Sequence, residues 1–248
     1  MSVIPITSSI HNYEVRFVSD SKFFSDIVTT WPMRCWIVDE NVWDLYAGSF
    51  LAPLRGEPVI IQPISEDLKS HESVFSLYER LVDFPAKRNL TLVSIGGGIL
   101  QDITGFAAST LYRGLPWIYI PTTLLAQADS CIGSKTSLNL GSYKNLIGTY
   151  YPPFKVYLYT PFVQTQDESS YGSGLGEIVK LAITNKRTPE YIAEMIKALK
   201  MRKPEMVIEA VKESLLVKKA YIEKDEFDMG VRNLLNYGHC VGHAVETA

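Results

Sequence analysis

Residues 92–111 read LVSIGGGILQDITGFAASTL, and no other stretch constrains the fold of this chain as tightly. Leu92, Val93 and Ile95 form a short apolar run of the kind buried on both faces of a parallel sheet. Gly96, Gly97 and Gly98 end it. Backbone without Cβ turns sharply and brings its N–H groups close to a ligand, and a helical pattern over residues 100–111 follows. A phosphate is the natural ligand of such a turn; a plain strand-to-helix connection uses the same residues.

The rest of the first half repeats this texture. Residues 13–18 alternate, residues 34–38 form a compact apolar strand, and residues 58–62, 117–120 and 156–159 read as further strands. A helix with Val74, Leu77 and Leu81 on one face lies between them, so βαβ units and a parallel sheet are expected. Ligands of open α/β sheets bind beyond the carboxyl ends of the strands, where Asp39 and Asn41 suit a ribose; turn chemistry explains them equally. Glu66 and Lys69 stand where a helix begins. Thr122 and Thr123 follow Pro121, placed to cap a helix or to touch a cofactor. Asp129, Lys135, Lys144 and Asn145 fall among Gly133, Gly141 and Gly148 in what reads as a loop-rich stretch. From about residue 162 the pattern is helical, over 171–183, 189–199, 204–224 and 234–248. The expected organisation is an α/β domain over 1–160 and a helical domain over 161–248.

Composition narrows the function. The chain has 248 residues, 46% hydrophobic and 21% charged, with a formal net charge of -3. That charge offers no general attraction to nucleic acid or to an anionic membrane, and points to small-molecule partners. Cys35, Cys131 and Cys240 show no paired spacing, so a reducing, cytoplasmic setting is expected. No secretory signal or membrane-spanning run is read.

The second half carries polar groups suited to chemistry. GLGEIVK places Glu177 and Lys180 one helical turn apart, a spacing usual for a surface ion pair. His239 and His243 stand at i and i+4 in NYGHCVGHAVE, on one face of a helix. A divalent ion with nitrogen and oxygen donors would use His239 and Glu177. His11 and His71, in the first half, read as structural or solvated. Lys135, Lys180, Lys218, Arg113 and Arg232 gathered near such an ion suit a substrate with a phosphate and a carboxylate.

The motifs GGGILQDITGF, LYRG, PTTLLAQADS, GSKTSLN, KNLIGTYYPP, GLGEIVK and RNLLNYGHCVGHAVE together resemble 3-dehydroquinate synthase and the wider sugar phosphate cyclases, from about residue 39 onward. The resemblance implies an N-terminal Rossmann-like NAD-binding α/β domain, a C-terminal helical domain that binds a metal (zinc or cobalt), and a homodimer. Carried over by motif, Asp39, Asn41, Glu66, Lys69, Gly97, Gly98, Asp102, Thr122 and Thr123 contact NAD. Glu177 and His239 are metal ligands. Asp129, Lys135, Asn145, Lys180, Lys218, Arg232, Asn236 and His243 surround the sugar phosphate, and Arg113 reaches its phosphate across the dimer interface. Lys218 rather than Lys219 keeps the family's spacing to Asp225. The family's third metal ligand is a later histidine, so the resemblance implies a fragment that ends before it.

The implied reaction converts 3-deoxy-D-arabino-heptulosonate 7-phosphate to 3-dehydroquinate with loss of phosphate, in the shikimate pathway. Ser134 stands where a glycine is usual, Ser137 and Leu138 also depart from the commonest form, and Leu100 and Gln101 are bulkier than usual. A cyclase of secondary metabolism on another sugar phosphate, a non-catalytic NAD-binding relative and a metal-dependent polyol dehydrogenase are the alternatives. Against the dehydrogenase, a neutral polyol would leave Lys135, Lys144, Lys180 and Lys218 unpaired.

Overall fold

The computed structural model describes residues 2–85 and 87–236. His239, Cys240 and His243 lie outside the described residues, as does most of the helix expected over 234–248; its described beginning belongs to a 3-10 segment, Val231–Asn236.

The strands β1 (Val3–Ile6), β2 (Tyr13–Phe17), β3 (Arg34–Asp39), β4 (Val59–Gln62), β5 (Thr91–Gly96), β6 (Trp117–Pro121) and, after a separate hairpin, β9 (Lys155–Leu158) form a seven-stranded sheet. Its order is β1-β2-β9-β6-β5-β3-β4, parallel throughout except for the antiparallel β1–β2 edge. Helices α1 (Phe23–Thr30) and α2 (Glu40–Tyr46) cover one face, packing Phe24, Ile27 and Val42 onto Trp36, Val38, Val93 and Ile95. The opposite face packs α3 (His71–Val82) and α4 (Gly98–Thr110) through Leu77, Leu81, Ile103 and Ala107. Every residue of β5 and β6 is buried, as an apolar run between two helical layers requires. The chain order turns back between β3 and β5, and crevices of doubly wound sheets form at such a switch point.

Three helices follow β9: α5 (Glu168–Thr184), α6 (Pro189–Lys200) and α7 (Pro204–Ile222). Asp167 and Thr188 cap the first two through their side chains, and Pro stands in the first turn of α6 and α7. No described helix is long and apolar enough to cross a membrane.

The structure corrects one expectation directly. The stretch read as loop-rich is ordered: a π-helical turn, Ala126–Ser130, leads into the hairpin β7 (Lys135–Leu140) and β8 (Tyr143–Tyr150). The glycines misled. Gly148 is a strand residue where an added Cβ would lie 2.2 Å from the Thr136 carbonyl oxygen, so glycine there permits close backbone approach rather than marking a loop. β1 and α1 carry no expectation from the sequence.

Candidate functional site

A cleft of about 630 Å³ lies beyond the carboxyl ends of β3, β5 and β6, where the sheet meets the helices. Asp39, Gly97, Gly98 and Thr123 line its sheet side. Asp39 caps α2, accepting the Asn41 N–H at 2.9 Å, and burial pushes its carboxyl above the ordinary range against the pull of that amide. The turn chemistry and the cleft position therefore coexist in one residue. A Cβ on Gly97 would lie 3.0 Å from Thr123 Cγ2, whereas one on Gly98 would meet nothing nearer than Ser130 Oγ at 3.7 Å. The start of α4 therefore lines the cleft with room beside Gly98, and a helix N-terminus in that position suits a dinucleotide's pyrophosphate. Thr123 Oγ1 accepts the Ala126 N–H at 3.2 Å. Thr122 is buried and donates its N–H to Gly96; neither it nor Asn41 lines the cleft.

A polar network ties α4 to the hairpin. Lys69 Nζ lies 2.5 Å from both Asp102 Oδ2 and Asn145 Oδ1, and Ser137 donates to Asp102 from its N–H at 3.1 Å and its hydroxyl at 3.0 Å. Burial raises the Asp102 carboxyl above its usual range; Lys69 and Ser137 oppose it. Glu66 accepts from Asn139 at 2.9 Å. Asp102→Ala leaves the buried Lys69 ammonium with Asn145 alone, so a loss of about 2 kcal/mol is expected, read as a fall in Tm of about 6 °C.

The helical wall places cations. Val207, Ala210, Val211, Ser214, Leu215, Lys218 and Ile222 form the buried stripe of α7, so helical periodicity turns Lys218 inward. Its Nζ meets Asp129 Oδ1 at 2.9 Å and the Asp129 carbonyl at 2.8 Å, while Lys219 faces Glu223 at 3.7 Å. Burial would raise Asp129, but Lys218, Lys180 and Arg232 outweigh it and hold the carboxyl below its ordinary range. The π turn carries Asp129 and Ser130 into the cleft, and Gln101 grips Ser130 by hydrogen bonds of 2.6 and 2.7 Å.

Glu177 and Lys180 form an ion pair with side chains only 12% and 13% exposed, so the spacing expected at the surface is enclosed here. Burial first, and the Asp129 charge second, raise the Glu177 carboxyl. Lys180 lines the cleft. Lys135 pairs with Asp228 at 2.5 Å, and Asn236 reaches the same carboxylate at 3.4 Å. Arg232 is buried and donates its N–H to Asp225 at 3.0 Å and a guanidinium N–H to the Glu226 carbonyl at 2.5 Å.

These pairs overturn one step of the sequence argument. Lys135, Lys180 and Lys218 all have carboxylate partners, so a neutral substrate would not leave them unpaired. Lys144 is exposed and lies outside the cleft, as does Arg113, which sits after α4 in a left-handed conformation (φ 68). His11 stacks on Phe154 at 4.1 Å, away from the cleft. Asp228 is a cleft residue that sequence reasoning passed over, and Ser137 and Gln101, noted there only as departures from the family's commonest form, line the cleft as well. Asp228 offered a signal, standing in the polar run DEFDMGVRN just ahead of Arg232.

Among the described residues, no group of His, Cys, Asp and Glu is assembled to hold a metal. Glu177 suits one as a donor, since a cation would offset both causes that raise its carboxyl.

Comparison with known proteins decides the family. The 3-dehydroquinate synthase N-terminal model matches residues 59–173, and the 3-dehydroquinate synthase C-terminal model matches residues 174–248. The chain belongs to the 3-dehydroquinate synthase family. A 3-dehydroquinate synthase of Dictyoglomus turgidum is 38% identical over 221 residues, spanning 84% of this chain and 62% of that relative. The 3-dehydroquinate synthase of Clostridium tetani is 40% identical over 213 residues, spanning 85% of this chain and 57% of the relative. The chain therefore spans about six-tenths of the length of these curated relatives. Among solved structures, a 2-deoxy-scyllo-inosose synthase complexed with carbaglucose-6-phosphate, NAD+ and Co2+ is 25% identical with a TM-score of 0.85, covering 100% of this chain and 69% of that one. The fold of a 3-dehydroquinate synthase family member thus accounts for the sheet, the glycine turn and the helical wall described above.

Proposed function

We propose that this chain forms the NAD-binding half and part of the metal- and substrate-binding half of a 3-dehydroquinate synthase, divided near residue 160. The reading is that the enzyme converts 3-deoxy-D-arabino-heptulosonate 7-phosphate to 3-dehydroquinate with phosphate elimination. The observation that carries it is the meeting, in one cleft, of the open cradle at Gly97 and Gly98 with the cations Lys135, Lys180, Lys218 and Arg232.

In this reading Asp39, Glu66, Lys69, Gly97, Gly98, Asp102 and Thr123 hold NAD, with Asn41 and Thr122 shaping the strand ends behind them. NAD supplies a reversible hydride acceptor for a ring hydroxyl, with no net consumption. Glu177 with His239 would hold a zinc or cobalt ion, which supplies Lewis acidity at the substrate oxygens. Arg232 and Asn236 orient the carboxylate; Lys135 and Asn145, with Arg113 from a second copy, hold the phosphate. Lys218, Lys180 and Asp129 keep a charged, desolvated wall against the ring, where oxygens that gain negative charge are stabilised. His243 serves proton transfer. A cytoplasmic homodimer completes the reading, in keeping with the buried thiols of Cys35 and Cys131, each pushed up to about 12 by burial.

The test is phosphate release from 3-deoxy-D-arabino-heptulosonate 7-phosphate with NAD and zinc or cobalt, for this chain and for a form continued past Ala248 to the length of its relatives. Release by the longer form without net NADH, lost on His239→Ala and on Glu177→Ala, is the expected result. Net NADH would indicate a dehydrogenase, and absence of release would move the reading to another sugar phosphate, beginning with sedoheptulose 7-phosphate.

A further inference from the structure

The N-terminal turn between β1 and β2 reaches the far side of the molecule in sequence. Thr7 donates its N–H to Glu223 Oε1 at 2.7 Å. Ser8 Oγ donates to Glu226 Oε1 at 2.7 Å, and the Ser9 N–H donates to Glu226 Oε2 at 2.7 Å. Both oxygens of the Glu226 carboxylate are thereby held by one turn. That turn is itself braced: Ser8 accepts the Ile10 N–H at 3.1 Å, and Asn12 accepts the Ser8 N–H at 3.1 Å.

Glu226 in turn holds Arg232. Its carbonyl accepts the guanidinium at 2.5 Å, while the preceding Asp225 accepts the N–H groups of Met229 and Gly230 at 2.8 Å and of Arg232 at 3.0 Å. The guanidinium lies close over Gly133, where an added Cβ would stand 3.3 Å from it. Gly133 is fixed from the same side, its N–H donating to the Tyr13 hydroxyl of β2 at 2.7 Å. The β1–β2 edge thus grips both the segment that carries Arg232 and the backbone that Arg232 packs on. Residues 7–13 lie outside the stretch matched by the family models, which begins at residue 59.

We infer that Ser8, Ser9 and Glu226 are positioning residues: the N-terminal turn sets the location of the Arg232 guanidinium in the cleft, and so the strength with which the cleft holds an anionic substrate. A carboxylate held at both oxygens pins its side chain, and with it the Cα and the backbone carbonyl that Arg232 grips. Loss of that contact frees the Arg232 side chain to sample other rotamers, which weakens anion binding more than it slows chemistry. The substrate half of this inference rests on the function proposed above; the structural half does not.

The experiment compares Glu226→Ala, Glu226→Gln and Ser8→Ala with the unaltered protein. Two readouts are taken: amide hydrogen exchange across residues 225–236, and KM and kcat for 3-deoxy-D-arabino-heptulosonate 7-phosphate at saturating NAD. Glu226→Ala is expected to raise KM about tenfold, with kcat within about twofold and NAD affinity unchanged. Exchange should accelerate at Met229, Gly230 and Arg232. Glu226→Gln, which keeps an acceptor for the Ser8 hydroxyl, should recover part of both effects. Unchanged exchange at those amides overturns the inference, as does a uniform rise in exchange across the chain with KM, kcat and NAD affinity all impaired. Turnover is read in the form continued past Ala248: if that form with its native residues turns over no sugar phosphate, the proposed substrate falls and the exchange pattern alone decides whether the turn holds Arg232.

Discussion

Lys218→Met is expected to reduce phosphate release by roughly two to three orders of magnitude and to destabilise the fold by about 3 kcal/mol at neutral pH. Both effects have one origin. Lys218 is 7% exposed and donates to both the carboxylate and the carbonyl of Asp129, so its removal leaves a largely enclosed negative charge beside Glu177 with only Lys180 and Arg232 to offset it. The sign with pH follows. In the unaltered protein the Asp129 carboxyl is held low by its cations, so the pair's stabilisation is present above the ordinary aspartate range and is lost as pH falls through the depressed value. In the variant, burial dominates and the carboxyl rises, so protonation relieves it. The stability difference between the two proteins should shrink as pH is lowered toward about 4. Thermal melts at several pH values check this. Lys219→Met is the control: one residue along the helix, facing Glu223, it should leave activity and Tm unchanged. Equal effects of the two variants would show that Lys218 contributes only as one more charge.

Gly97→Val is expected to weaken NAD binding at least about a hundredfold while moving Tm little. Gly97 has extended backbone (φ -81, ψ -170) that any residue adopts, so the cost is spatial rather than conformational. Its Cβ would press on Thr123 Cγ2 at 3.0 Å, and the added methyls of valine would occupy the approach to the N–H groups at the start of α4. Gly97→Ala should fall between. Calorimetric titration with NAD measures both. Unaltered binding in Gly97→Val would reduce the glycine turn to a simple connection between β5 and α4.

How much of this was legible depended on whether a residue's role is set locally. β5, the glycine turn and α4 were readable because an apolar run, absent Cβ atoms and a helical period are neighbours in sequence. The extent of α7 was readable for the same reason, whereas Lys218 was chosen over Lys219 by the family's spacing to Asp225, and the buried stripe of the helix agrees with that choice. The β7–β8 hairpin was not: β8 is exposed or half-exposed at every position, so no apolar alternation marks it. Asp228 escaped because its meaning is made by Lys135, 93 residues away, and the Glu177–Lys180 spacing left a surface pair and a site equally open because spacing gives a helix face without saying what packs on it. Ser8 and Ser9 carried no expectation, because Glu226, which gives them their meaning, stands 218 and 217 residues away.

The sheet order has a consequence for how the molecule is made. β2 lies between β1 and β9, with Glu14 opposite Lys155 and Phe17 opposite Leu158. A ribosome adds on the order of ten residues each second, so β2 emerges roughly ten seconds or more before the strand it must join. Until then its apolar side chains Tyr13, Val15 and Phe17 have only the short β1 for company. Closure of the sheet must await the π turn and the hairpin as well, since both precede β9 in the chain. Slow, long-range pairing of this kind favours late consolidation of the N-terminal edge.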